Sequence, residues 1–297
     1  MLLDSKRFSE HSLAKNSTAP RLLNVGCGSH YHKDWTNLDL ISDNLDVIPH
    51  DLTCGIPYSD DHFDAVYHSH VLEHLKPTDG IKLLKECFRV LKPGGILRVV
   101  VPDLERIAEL YLEMHDKAWS GNADAKNDYD WMKLELLDQL VREHSGGQMG
   151  QFMSNPRIQN SEFVQSRVGH EFKVCRTAAS GFENAKKNAF EKINDWTKTI
   201  RQNLAKKVVR LLLGSTAERA FSEGLFRNSG EVHRWMYDRF SLRETCEEIG
   251  FENFEIVSAP VSQIQSFSTY QLDVFESHIR KPDSLFTECR KPVKTLR

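Results

Sequence analysis

The sequence predicts an α/β protein: a doubly wound, mostly parallel sheet carrying a helical insertion. Strand-like apolar runs alternate with amphipathic, helix-like segments over residues 20–115. The run Gly95-Ile96-Leu97-Arg98-Val99-Val100-Val101 is nearly continuous and β-branched, as in strands buried on both faces of a parallel sheet. Over about 116–230 the alternation gives way to helical periodicity, and it returns after 231. With 40% hydrophobic and 27% charged residues in 297, the chain has a globular composition.

Residues 1–19 are polar and aperiodic and read as a loose lead-in. Strands follow at 21–25, 36–40, 45–49, 63–68 and 95–101. A helix at 79–91 places Ile81, Leu84, Phe88 and Leu91 on one face, with Asp79 as its N-cap. Lys92-Pro93-Gly94-Gly95 stops it and turns the chain into the next strand. A helix at 104–113 leads into the insertion. There, Met132, Leu136, Leu140 and Val141 mark a helix at 129–144, which Gly146-Gly147 ends. Residues 182–213 repeat apolar positions from Phe182 to Leu211 every three or four residues, and Gly214 is the expected stop. A helix at 241–249, Gly250, and strands at 253–258 and 284–290 complete the pattern. The chain divides into the lead-in 1–19, a core 20–115, a helical insertion or lid 116–230, and the rest of the core 231–297.

A formal charge of −3 gives no general case for a nucleic-acid partner. The N-terminus lacks the apolar stretch of a signal peptide, and no run approaches the roughly 20 apolar residues of a membrane span. Six scattered cysteines, without a C-x-x-C pair or zinc spacing, predict a reduced, cytoplasmic protein with no metal. His70 and His74 stand at i, i+4, but that spacing alone is a frequent accident. The 182–213 segment carries eight basic residues against three acids. That pattern fits a solvated helix face first, and peripheral contact with an anionic membrane or glycan second. Oligomeric state is left open.

The most informative stretch is Leu22-Leu23-Asn24-Val25-Gly26-Cys27-Gly28, followed by a second short strand ending in Asp39. A strand, a glycine turn and an acid at the tip of the next strand form a nucleoside site: the glycines admit the ligand to the backbone, and the acid accepts from a ribose diol. The dinucleotide pattern needs a third glycine, where Tyr31 stands, and an acid about 20 residues on. The phosphate loop is absent. A nucleoside without phosphates fits best.

Here the chain resembles the class I S-adenosylmethionine-dependent methyltransferases, and most closely their type 11 group. The resemblance rests on Leu23-Asn24-Val25-Gly26-Cys27-Gly28, Asp39, His50-Asp51-Leu52, Phe63-Asp64-Ala65-Val66-Tyr67-His68-Ser69-His70, Leu72-Glu73-His74-Leu75 and Leu91-Lys92-Pro93-Gly94-Gly95, in the family's order. It covers 21–103, resumes at about 231–290, and implies sheet order 3-2-1-4-5-7-6 with strand 7 antiparallel. It also implies S-adenosylmethionine as cofactor, held by Asn24, Gly26, Cys27, Gly28, Asp39, Asp51, Leu52, His68 and His70. The implied activity is methyl transfer to a small-molecule or glycan acceptor, with O-methylation favoured. A non-catalytic cofactor-binding module and an aminopropyl transferase are the alternatives. Asp103 either orients substrate or caps the next helix. Gly230-Glu231-Val232-His233-Arg234-Trp235-Met236-Tyr237-Asp238 reads as a pocket wall, with Arg234 and Tyr237 toward substrate and His233 as the candidate base, because an imidazole titrates near neutrality.

Overall fold

A computed structural model describes residues 19–179 and 189–293. Nearly all of the expected lead-in and the start of the 182–213 segment lie outside those residues. One seven-stranded sheet organises the molecule. Its strands are β1 (Leu22–Val25), β2 (Thr36–Asp39), β3 (Val47–Pro49), β4 (Phe63–Ser69), β5 (Leu91–Pro102), β6 (Glu252–Val257) and β9 (Ser284–Arg290). Their order is β3-β2-β1-β4-β5-β9-β6, as expected. β1 to β5 pair in parallel, and β9 runs antiparallel between β5 and β6.

Helix α1 (Pro77–Val90) and helix α8 (Arg239–Ile249) cover one face. Leu23, Val25, Val66 and Leu97 meet Leu84, Cys87, Leu242 and Cys246 there. α1 starts two residues earlier than expected because Pro77 supplies its first turn; Lys76 is the N-cap and Asp79 lies inside that turn. α8 is fixed by a capping box in which Asp238 accepts from Ser241 N at 2.8 Å.

No helix forms in the first crossover, residues 26–35. The second face is covered instead by a strap, residues 258–283, containing one short 3-10 turn and the hairpin β7 (Val274–Phe275) and β8 (His278–Ile279). Ala259, Ile264, Phe267 and Leu272 pack on Leu22, Tyr67, Val100 and Phe286. Arg98, fully buried on β5, pins the strap to the sheet. It donates to Asp273 Oδ2, Glu288 Oε1 and the Val261 carbonyl, each at 2.8 Å, and stacks over Phe267.

The insertion contains α2 (Leu104–Trp119), α3 (Ala123–Val141), α4 (Gly147–Ser154), α5 (Ser161–Val168), α6 (His170–Ala179) and α7 (Ala189–Arg227). Ile107, Leu110 and Met114 of α2 join Trp131, Met132, Met153 and Val164 in a separate core. Helix α2 therefore packs with the helices of the insertion. Gly214 is a break rather than a stop: it takes φ 86° and the helix resumes to Arg227. Of the apolar positions in the 182–213 repeat, the described Leu204, Val208 and Leu211 are exposed, Leu211 by 85%. Among the described residues no helix is long and apolar enough to cross a membrane.

Candidate functional site

β1 ends in the glycine turn because both glycines take left-handed backbone angles, φ 65° at Gly26 and 54° at Gly28. A Cβ on Gly26 would stand 2.6 Å from Val71 Cγ2, whereas one on Gly28 would meet nothing within 4 Å. Open space above Gly28 is where a ligand can approach the backbone. Asp39, at the end of β2, accepts from Gly28 N at 2.6 Å, so its carboxylate lies beside that opening. Asn24 is buried and ties the turn together through His30 O and Asn37 Oδ1. Burial and the Asp39 charge raise the Cys27 thiol to about 12, so it stays neutral.

A cavity of about 80 Å3 opens beneath this turn. Asn24, Gly26 and Cys27 from β1 and its turn face Ser69 and His70 at the end of β4, with Arg280 and Lys281 of the strap opposite. The Arg280 guanidinium donates to Leu272 O at 3.2 Å, and its backbone N–H to Asp273 O at 2.9 Å. Lys281 pairs with Glu171 of α6. The sequence reading missed these two cations; nothing in their local pattern tied them to a turn some 250 residues away.

The other expected residues separate. Asp51 caps the short 3-10 turn that contains Leu52, accepting from Thr53 N at 2.9 Å and Thr53 Oγ1 at 2.7 Å. Leu52 packs on the core. Asp103 is the N-cap of α2, accepting from Arg106 N at 3.1 Å. Arg234 turns to Arg227 O and Asn228 Oδ1. Tyr237 is a core residue against α1 and α8, not a pocket wall. His68 is fully buried with both ring nitrogens unpartnered. Its neighbours Tyr67 and Ser69 point into the cavity, and strand alternation sends His68 to the opposite face.

His70 stays at the cavity. It holds φ 55°, uncommon for a residue with a Cβ, at the top of β4. Its Nε2 lies 2.9 Å from Ser284 Oγ and its Nδ1 2.9 Å from Glu73 Oε1. Glu73 is fully buried, and the segment before α8 wraps around it. Arg234 N donates to Glu73 O at 2.6 Å, and His233 N to Gln139 O of α3 at 2.9 Å. This delivers His233 edge-on to His74, with ring centroids 4.8 Å apart. His233 is only 4% exposed, and burial lowers its pKa to about 3. It is therefore a neutral interior imidazole and not the freely titrating base expected. Burial alone would raise the Glu73 carboxyl, but the surrounding imidazoles, His70 foremost, hold it below the usual range.

Residues 23–99 match the family model of the methyltransferase domain. The cofactor is S-adenosylmethionine. Similar solved structures include a chain of the complex between the Haloferax volcanii Trm112 methyltransferase activator and a methyltransferase. It is 11% identical, with 99% of this chain and 92% of that one covered at TM-score 0.37. A Thermotoga maritima S-adenosylmethionine-dependent methyltransferase is 13% identical over 97% of this chain and 88% of its own, at TM-score 0.36. A Bacillus halodurans methyltransferase is 13% identical over 97% and 98%, at TM-score 0.35. No curated protein matches the sequence.

The chemistry of these residues suits that cofactor. The open face of Gly28 and the Asp39 carboxylate suit a ribose, and the Arg280 guanidinium suits the methionine carboxylate. One acid-sensitive group lies behind it. Burial lowers His68 to about 4 from 6.5, so between those values the unfolded chain binds the proton and the folded one does not. Stability contributed by neutral His68 is complete above pH 6.5 and is lost as pH falls toward 4, up to about 3 kcal/mol. Melting curves across that range should steepen for wild type and flatten for His68→Phe; parallel curves would refute the assignment.

Proposed function

We propose that the protein transfers the methyl group of S-adenosylmethionine to a hydroxyl oxygen of a small-molecule or glycan acceptor. The observation that carries this reading is His70, which lines the cofactor cavity and is backed at 2.9 Å by the buried Glu73 carboxylate. A carboxylate behind that imidazole favours the protonated form of an amine acceptor, its lone pair occupied. A hydroxyl instead donates its hydrogen to this wall and keeps a lone pair for attack.

The reaction is an in-line displacement. The acceptor oxygen forms a bond to the methyl carbon, the carbon–sulfur bond breaks, and its electron pair stays on sulfur. The hydroxyl proton is released to solvent, and S-adenosylhomocysteine remains. The sulfonium is already a good leaving group, so the protein's main contribution is alignment, with the oxygen about 3 Å from the methyl. Asp39 and the glycine turn hold the nucleoside end, and Arg280 the carboxylate end. Release of S-adenosylhomocysteine with matched alcohol and amine acceptors of one carbon skeleton tests this. Turnover with the alcohols is expected; turnover with amines alone refutes the hydroxyl assignment.

A further inference from the structure

Glu73, His74 and His233 each aim a ligand atom at a common point, with these atoms all within 4.8 Å of one another. Two segments build the cluster. Glu73 and His74 occupy the 3-10 turn Leu72–His74 after β4, and the strand-like segment before α8 carries His233 in from the far side. Glu73 and His233 are 0% and 4% exposed. Glu73 Oε2, His74 Nδ1 and His233 Nδ1 are all buried without a hydrogen-bond partner. Stranding a polar atom this way costs on the order of 1–3 kcal/mol, and three in one place call for a common partner. Arg142, the cation that faces the cluster from the end of α3, is paired with Asp138 at 3.1 Å.

We propose that Glu73, His74 and His233 form a binding site for one divalent transition-metal ion of the zinc class. Two imidazoles and one carboxylate are the donor set of such ions, and not of magnesium or calcium, which prefer oxygen ligands. Metal–ligand bonds of about 2.0–2.2 Å put tetrahedral ligand atoms roughly 3.4 Å apart, so binding requires only a small inward closure of the three side chains. His70 is a supporting partner: its Nδ1 holds Glu73 Oε1 and leaves Oε2 for the ion. Three protein ligands leave a coordination position open. The role of the ion rests on the hydroxyl reading above: bound behind His70, it would fix Glu73 and through it the His70 imidazole that lines the cofactor cavity. The expectation of a metal-free protein, drawn from cysteine spacing and from His70 and His74 alone, had no view of His233.

The test is zinc binding to the full chain after chelator treatment, by equilibrium dialysis with elemental analysis and by thermal melting. One zinc per chain and a raised melting temperature are expected. His74→Asn and His233→Asn should each weaken binding at least 100-fold, while an exposed-histidine control, His144→Asn, binds as wild type. A melting shift with S-adenosylhomocysteine verifies that each variant is folded. Absence of stoichiometric zinc from wild type overturns the site, as does undiminished binding by the folded variants. Should neither variant fold, the cobalt-loaded wild type decides: a four- or five-coordinate spectrum with nitrogen ligands supports the site, and a six-coordinate aquo-like spectrum overturns it. Stoichiometric zinc without turnover of any alcohol would refute the hydroxyl reading and leave the metal site standing.

Discussion

Replacing Asp39 by alanine weakens S-adenosylmethionine binding by about 100-fold, the equivalent of roughly 2.7 kcal/mol, in an isothermal titration. The carboxylate stands at the tip of β2 beside the glycine turn, where Gly28 leaves backbone open to a ligand, and its bond to Gly28 N aims it there. Charge-assisted hydrogen bonds to two ribose hydroxyls account for the magnitude. Asp39→Asn keeps an acceptor toward Gly28 N–H and loses the charge, so about a tenfold loss is expected. Because Asp39 is partly exposed, circular dichroism should show both variants folded. Unchanged affinity in Asp39→Ala would remove Asp39 from the cofactor site.

The largest effect on stability belongs to Arg98→Met, at about 3–5 kcal/mol. Losing the guanidinium leaves Asp273 and Glu288 buried without a counter-charge and strips the Val261 and Ala259 carbonyls of their donor. Burial already raises Asp273, so the deficit relative to wild type should shrink as pH is lowered and Asp273 takes up a proton. The strap also forms one wall of the cofactor cavity through Leu272, Asp273 and Arg280. Cofactor affinity in Arg98→Met should therefore fall, although Arg98 is not itself a lining residue. Denaturant melts at two pH values, each with and without S-adenosylhomocysteine, measure both effects. A loss under 1 kcal/mol would mean that the strap is held by its apolar contacts alone.

The sheet was legible in the sequence because its signals are local. A β-branched run, a Pro-Gly-Gly stop and a strand ending in Gly26-Cys27-Gly28 each carry their own explanation, and the resemblance set their order. The strap was not legible. Residues 258–283 have neither strand nor helix periodicity, and their placement depends on Arg98 meeting Asp273 from 175 positions away. The same limit hid Arg280 and Lys281. The resemblance places His68 at the site, but a strand sends neighbours to opposite faces; Tyr237 sits in a segment dense in aromatic and titratable groups, and only the fold decides which face holds the cavity. Glu73 did leave a trace: an acid inside Leu72-Glu73-His74-Leu75 is an expensive residue to bury, and its imidazole partners offset that cost. Gly214 misled because apolar periodicity continues past it, so a kink and a stop look alike.

The most direct measurement is the melting temperature of the wild-type protein with S-adenosylmethionine, S-adenosylhomocysteine and NAD in parallel. Each sulfur nucleoside, at 100 times its dissociation constant, should stabilise the protein by about 2.7 kcal/mol, and NAD should leave it unchanged. A shift with NAD and none with either sulfur nucleoside would contradict the account.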